Sequence, residues 1–272
     1  MTQTEANSQS RRFRRRFSNL KSRYRIPIYN IGYKLAGSLD GYPLPPAHLV
    51  DLIIGTKEKA WYQLGGLFMS QAISTFLRRN DMPIESFGSI LDFGCGCGRI
   101  LRWWAALRDH AEIWGCDYNE DLILWCQKNL SDIAQFMVNG SKPPLDFSDE
   151  TFDLIYAYSV FTHFSVDLQQ PWMEEMARAL KPGGSLLITV HGKRVAWRSG
   201  FSEEQLEQLD KEGIVAFGEE QSGSNYCAAY HSKKYLSDQR SLGLELVDYV
   251  SGGVRDSSEQ DLVLYRKVNL KV

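Results

Sequence analysis

No stretch of the 272-residue sequence approaches 18 consecutive apolar residues, and no apolar segment follows the first residues. Neither a membrane-spanning helix nor a secretory leader is therefore expected, and a cytoplasmic location follows. Cysteine is scarce and odd in number. Four of the five, Cys95, Cys97, Cys116 and Cys126, sit in apolar or glycine-rich segments, which suits reduced core thiols better than a disulfide framework. There is no Gly-Lys-Ser/Thr to end a triphosphate-binding loop, no internal repeat, and no histidine pair at i,i+3 or i,i+4 spacing to hold a metal. Cys95 and Cys97 have no second cysteine pair to complete a metal site and read as small side chains in a tight loop, so no metal is expected. What is present suffices for a sizeable core: 43% of residues are hydrophobic and 12% aromatic, which excludes wholesale disorder.

The net charge of −2 conceals an asymmetry. Residues 1–25 hold eight basic side chains, from Arg11 to Arg25, against Glu5 alone, making that segment +7 and the rest −9. Phe13, Phe17, Leu20 and Tyr24 recur there at the period of an apolar helical stripe among cations. Such a basic amphipathic arm over 11–25 fits peripheral adsorption to an anionic membrane surface or an acidic partner, or docking on the chain's own acidic body. Residues 26–87 read as a connector followed by helices. Proline and glycine punctuate 26–46; Thr56 is then placed to cap a helix in which Trp61, Leu64, Phe68, Ala72 and Phe76 share one face until Asn80 and Pro83.

From 88 to 272 short apolar strands alternate with amphipathic helices. Strands are expected at 89–93, 112–116, 135–138, 153–158, 185–190, 244–250 and 261–267. Helices are expected at 99–108, at 119–130 with Asn119 as cap, and at 167–180 with Pro171 in the first turn. The alternation predicts an α/β fold, a doubly wound and mostly parallel sheet with an N-terminal helical extension.

The most informative run is Ile90-Leu91-Asp92-Phe93-Gly94-Cys95-Gly96-Cys97-Gly98-Arg99-Ile100, a strand passing through alternating glycines into a helix. Glycine at 94, 96 and 98 allows positive φ and lets backbone N–H groups approach a nucleotide-like ligand. Counting from Gly94, the sixth position of a dinucleotide fingerprint is Arg99, so NAD fits poorly. Asp92 directs a carboxylate at a ligand that should carry a cation. The next strand ends at Asp117, 19 residues after Gly98, where a carboxylate can accept two hydrogen bonds from vicinal ribose hydroxyls.

Together D-F-G-C-G-C-G at 92–98, the acid Asp117, F-D-L-I-Y-A-Y-S at 152–159 and L-K-P-G-G-S-L-L-I-T at 180–189 resemble the class I S-adenosylmethionine-dependent methyltransferases over residues 88–191. The resemblance implies a Rossmann-like methyltransferase domain over 88–272, with a seven-stranded sheet ending in an antiparallel hairpin at 244–250 and 261–267. It implies S-adenosyl-L-methionine as cofactor, with Gly94, Gly96 and Gly98 around the methionine part, Asp92 near its ammonium and Asp117 on the ribose. Cys95, Tyr118, Gly140 and Ser159 are further expected cofactor contacts, and Asn139 stands where many relatives place an acid against the adenine amino group.

Methyl transfer from a sulfonium is an in-line displacement that needs alignment more than a nucleophilic side chain. A hydroxyl acceptor also needs a base, and histidine suits neutral pH. His163 just past the fourth strand, His191 closing the fifth, and His231 are the candidates, His163 first; a structural histidine satisfied by backbone is the alternative for each. The expected acceptor is a small molecule or glycan, methylated at oxygen. Other readings are a peptide or nitrogen acceptor, or a non-catalytic cofactor-binding scaffold recruited by the basic arm. Nucleic acid is disfavoured, since no N-P-P-Y, D-P-P-Y or Pro-Cys motif follows the fourth strand.

Overall fold

The computed structural model describes residues 37–254 and 259–269, so the basic amphipathic segment at 11–25 lies outside the described residues. The first helix, α1 (Ala47–Ile54), ends on Gly55 in the left-handed conformation. In α2 (Lys59–Arg79) the N-cap position is Glu58 rather than Thr56. The buried side of α2 runs through Tyr62, Gly66, Met69, Ile73 and Leu77 and leaves the expected core residue Phe68 half exposed. This rotation has a steric cause. Gly65 and Gly66 let the helix lie directly on Arg99 and Trp103: a Cβ on Gly66 would stand 2.1 Å from the Arg99 carbonyl oxygen.

The sheet follows the predicted pattern. β1 (Ser89–Phe93), β2 (Glu112–Asp117), β3 (Gln135–Val138), β4 (Phe152–Ala157) and β5 (Leu180–Val190) are parallel neighbours. β6 (Ile214–Phe217) and β7 (Ala228–His231) form a separate antiparallel pair. β8 (Leu244–Val250) and β9 (Asp261–Lys267) complete the main sheet as an antiparallel edge, in the order β3-β2-β1-β4-β5-β9-β8. Both faces are covered, as a parallel sheet requires. Ile90, Leu154 and Leu187 pack with Leu49, Ile73 and Leu77 of α1 and α2, while Leu91, Ile155 and Ile188 pack with Trp172 and Met176 on the other face.

The crossover elements depart from expectation in two places. Residues 101–107 form a 3-10 helix rather than an α-helix over 99–108. Leu101, Trp104 and Leu107 are three residues apart, so three-residue winding stacks them on one buried face. Next comes α3 (Glu120–Asn129), capped as expected by Asn119, whose side chain accepts from the Leu122 N–H. In α4 (Val166–Ala179) Pro171 falls beyond the first turn, leaving the Asp167 carbonyl without its helical donor. The segment between β5 and β8 is an insert of α5 (Lys193–Arg198), α6 (Glu203–Glu212), the β6–β7 pair and α7 (Lys233–Ser237). Among the described residues no helix is long and apolar enough to cross a membrane.

The N-terminal connector is anchored by a buried ion pair. Arg102, 1% exposed, gives Nε and Nη2 to the carboxylate of Asp40 and further N–H groups to the carbonyls of Tyr42 at 2.8 Å and Pro43 at 3.1 Å.

Candidate active site

The carboxyl ends of β1 and β2 meet at the glycine loop, as in open α/β sheets generally. Gly94, Gly96 and Gly98 have φ of 77°, 57° and 64°. Side chains there would meet Val160 at 2.4 Å from Gly94 and Leu130 at 2.6 Å from Gly98, so the loop needs glycine for space as well as for conformation. Ile53 of α1 lies over Gly96, and the Tyr62 hydroxyl of α2 donates to the Cys97 carbonyl at 2.7 Å.

The loop's N–H groups, contrary to expectation, point into the protein. Gly94 and Cys95 both donate to the Cys116 carbonyl (2.8 and 2.9 Å), Gly96 to Asp117 Oδ2 (3.0 Å) and Gly98 to the Cys95 carbonyl (2.9 Å). A pyrophosphate would need those donors. The loop thus suits a ligand gripped elsewhere, through ribose and base. Asp117 Oδ1 accepts from the Asn119 N–H at 2.9 Å, and its two oxygens retain acceptor capacity for hydroxyls. Burial pushes its carboxyl up, against the pull of those N–H donors. Asn139, at the end of β3, donates Nδ2–H to the Gly140 carbonyl at 2.7 Å and leaves Oδ1 buried with no partner among the described residues. An orphaned acceptor there matches the donor of an adenine amino group. These residues fit an adenosine sulfonium.

Asp92 is 2% exposed, and burial pushes its carboxyl up to about 8, opposed by a hydrogen bond from the Tyr156 hydroxyl. That hydroxyl in turn accepts from Trp104 Nε1 at 3.1 Å. Asp92 is therefore protonated at neutral pH in this state, and an arriving ammonium would favour its ionised form. Cys95 departs from expectation. Its thiol turns to the Gly96 carbonyl and Cys126, and burial raises it far above the usual thiol range, so its side chain faces the core. Tyr118 is half exposed at the mouth, facing Gly223 of the insert.

Ser159 follows β4 at φ 59°, a strained value for a residue with a Cβ. It is held there by its N–H on Thr189 Oγ1 (2.7 Å), by Gln260 Nε2 donating to its hydroxyl (2.8 Å), and by that hydroxyl's contact with Thr162 Oγ1 at 3.2 Å. The next turn, Phe161–His163, carries the first-ranked histidine. His163 Nδ1 lies 2.8 Å from the Cys227 carbonyl. A carbonyl only accepts, so the proton sits on Nδ1 and the ring's basic lone pair is on Nε2.

Residues 219–227 of the insert are stapled beside this histidine. Gly223 N–H donates to the His163 carbonyl (2.7 Å), Ser165 N–H to Ser222 Oγ (2.7 Å) and Val166 N–H to Glu219 (2.9 Å). On the far side Asn225 Nδ2 donates to the Leu52 carbonyl of α1 at 2.8 Å. The segment thus spans from His163 to the helix over the glycine loop. His191 closes β5 with its ring 5.4 Å from Tyr230. His231 does not join the site: it is 1% exposed, and burial drives its imidazole down to about 3.

Sequence reasoning names Tyr62 only as one of several aromatics that could cover the acceptor, and it missed Tyr156 and Gln260. Tyr156 could have been found as the one hydroxyl in the apolar run of β4, and the inward face of α2 from the Gly65-Gly66 pair, which a helix keeps only for close approach.

Residues 90–184 match the family described as a methyltransferase domain. The chain is 34% identical over 108 residues to the tRNA (carboxymethyluridine(34)-5-O)-methyltransferase of Arabidopsis thaliana, an alignment covering 39% of this chain and 25% of that protein. It is 28% identical over 131 residues to the fatty-acid O-methyltransferase of Mycolicibacterium smegmatis, covering 46% of each. The chain thus spans between a quarter and a half of the length of these curated relatives. The crystal structure of an S-adenosylmethionine-dependent methyltransferase from Clostridium acetobutylicum superposes with a TM-score of 0.53 at 13% identity, over 74% of this chain and 92% of that one, and shares the fold. With the sheet order in agreement, residues 90–184 are a methyltransferase domain of the class I S-adenosylmethionine-dependent family.

Proposed function

We propose that the protein transfers a methyl group from S-adenosylmethionine to a hydroxyl of a small molecule or saccharide, with His163 as the base. When bound, the cofactor supplies a methyl group activated by a sulfonium charge. Asp117 would accept from its ribose hydroxyls, Asn139 Oδ1 from its adenine amino group, and Asp92 would lie toward its ammonium. The observation that carries the base assignment is the bond from His163 Nδ1–H to the Cys227 carbonyl, which puts the lone pair on Nε2. His191 is the alternative base, at the end of the adjacent strand. His231, buried and neutral, is withdrawn from that role.

A nucleic-acid acceptor is the second reading. The Arabidopsis relative is named for tRNA, and the +7 segment at 1–25 would give salt-sensitive affinity for a polyanion. Incubation with methyl-labelled cofactor and fractionated cell extract separates the two. Label in the small-molecule or saccharide fraction is expected; label confined to RNA would establish the second reading. His163→Ala should lower transfer by roughly 10²–10⁴-fold while cofactor affinity stays within twofold or so.

A further inference from the structure

We propose that Gln169 and His231 are positioning residues that clamp the turn carrying His163. The inference rests on His163 being the base. Gln169 lies on the buried side of α4 beside Trp172 and Met173 and is 1% exposed. Its Nε2 donates to the carbonyls of Phe161 and Phe164, both at 3.0 Å, and so brackets His163 on either side in the chain. Its Oε1 lies 3.0 Å from His231 Nε2. Oε1 can only accept, so His231 is the Nε2–H tautomer, and the amide cannot flip without setting its oxygen against two carbonyl oxygens. His231 Nδ1 is buried with no partner among the described residues, so Gln169 receives the ring's one hydrogen bond.

A polar pair this deep is costly unless its bonds are made. Here the bonds link two parts of the chain that otherwise approach the site separately. His231 stands at the end of β7, where its N–H donates to the His191 carbonyl at 2.8 Å. The insert's seat on β5 is thereby transmitted through one side chain to the backbone around His163. With Cys227 holding the ring and Gln169 holding the main chain, the imidazole is fixed at both ends.

The test is imidazole nitrogen NMR of the full-length protein, which reports the His163 tautomer without any acceptor, together with methyl transfer to the labelled extract fraction. The wild type should show His163 as the Nδ1–H form. Gln169→Leu and His231→Phe should each mix the two tautomers at His163 and lower transfer by up to about a hundredfold, with cofactor affinity unchanged. His231→Gln, which keeps a donor toward Gln169, should restore both; His231→Ala, which removes that donor and fills less space, gives the same loss test if the larger replacements fold poorly. An unaltered His163 tautomer and rate in folded Gln169→Leu and His231→Phe would overturn the clamp. Full transfer by His163→Ala would instead overturn the base assignment, and the tautomer readout would still decide whether the clamp exists.

Discussion

At β1 and β2 two aspartates 25 residues apart in sequence have different electrostatic situations. Asp92 holds its proton in the native state up to about pH 8, whereas an unfolded aspartate releases it near its ordinary value of 3.8. Between those two values the native state binds more protons than the unfolded one, so stability falls as pH rises through the window and levels off above it. Asp92→Asn should flatten that slope. Denaturant unfolding of both forms at about pH 5 and pH 8 tests it, and parallel pH dependences would contradict the assignment. Burial raises Asp117 as well, against the pull of its backbone donors. Asp117→Ala should weaken binding of the demethylated cofactor by about 1.5–3 kcal/mol, the scale of hydrogen bonds to a charged group, and calorimetry will show whether it does. Asp92 and Asp117 stood out in the sequence because charge at the end of an apolar strand is conspicuous. Gln169 and Gln260 did not, since an uncharged amide within a helix or loop looks ordinary until its three-dimensional neighbours are known.

Elements were legible where burial is one-sided or complete. β1, β3, β8 and β9 have the expected bounds, β2 is one residue longer, β4 is shifted by one residue and β5 starts five residues earlier, because apolar runs bounded by Gly or Asp leave little alternative. β6 and β7 were missed: at four residues each they are too short for a strand period to repeat. α2 shows how a correct element can carry a wrong face. Its apolar residues alone suggest Phe68 as core, but the close approach at Gly65 and Gly66 turns another side inward. A Cβ on Gly65 would meet the end of the Arg99 side chain at 1.9 Å, whereas one on Gly66 would meet backbone at 2.1 Å. Gly66→Ala should therefore destabilise by about 1–3 kcal/mol, as overpacking does, and Gly65→Ala by less, since a guanidinium can swing aside. Thermal and denaturant melts of the two variants check the order.

Across the whole molecule the joins between segments matter as much as the segments. Asp40 supplies the counter-charge for Arg102, whose side chain is wholly buried. Removing it by Asp40→Ala strands a guanidinium in the core and should cost roughly 3–5 kcal/mol, read as a shift in denaturant midpoint at constant m-value. A loss below about 1 kcal/mol would mean that the carbonyls of Tyr42 and Pro43 suffice. Neither partner could be matched from sequence, since 62 residues separate them. The insert between β5 and β8 makes the other join. It supplies the Cys227 carbonyl that sets the proton of His163 and, in Tyr226 and Trp197, exposed aromatic surface. Grafting residues 193–243 from a homologue would then exchange this aromatic surface and the carbonyl partner of His163 in a single stroke. Recombination at that boundary should keep the Nδ1–H form of His163 only when the incoming piece brings a carbonyl to the same spot.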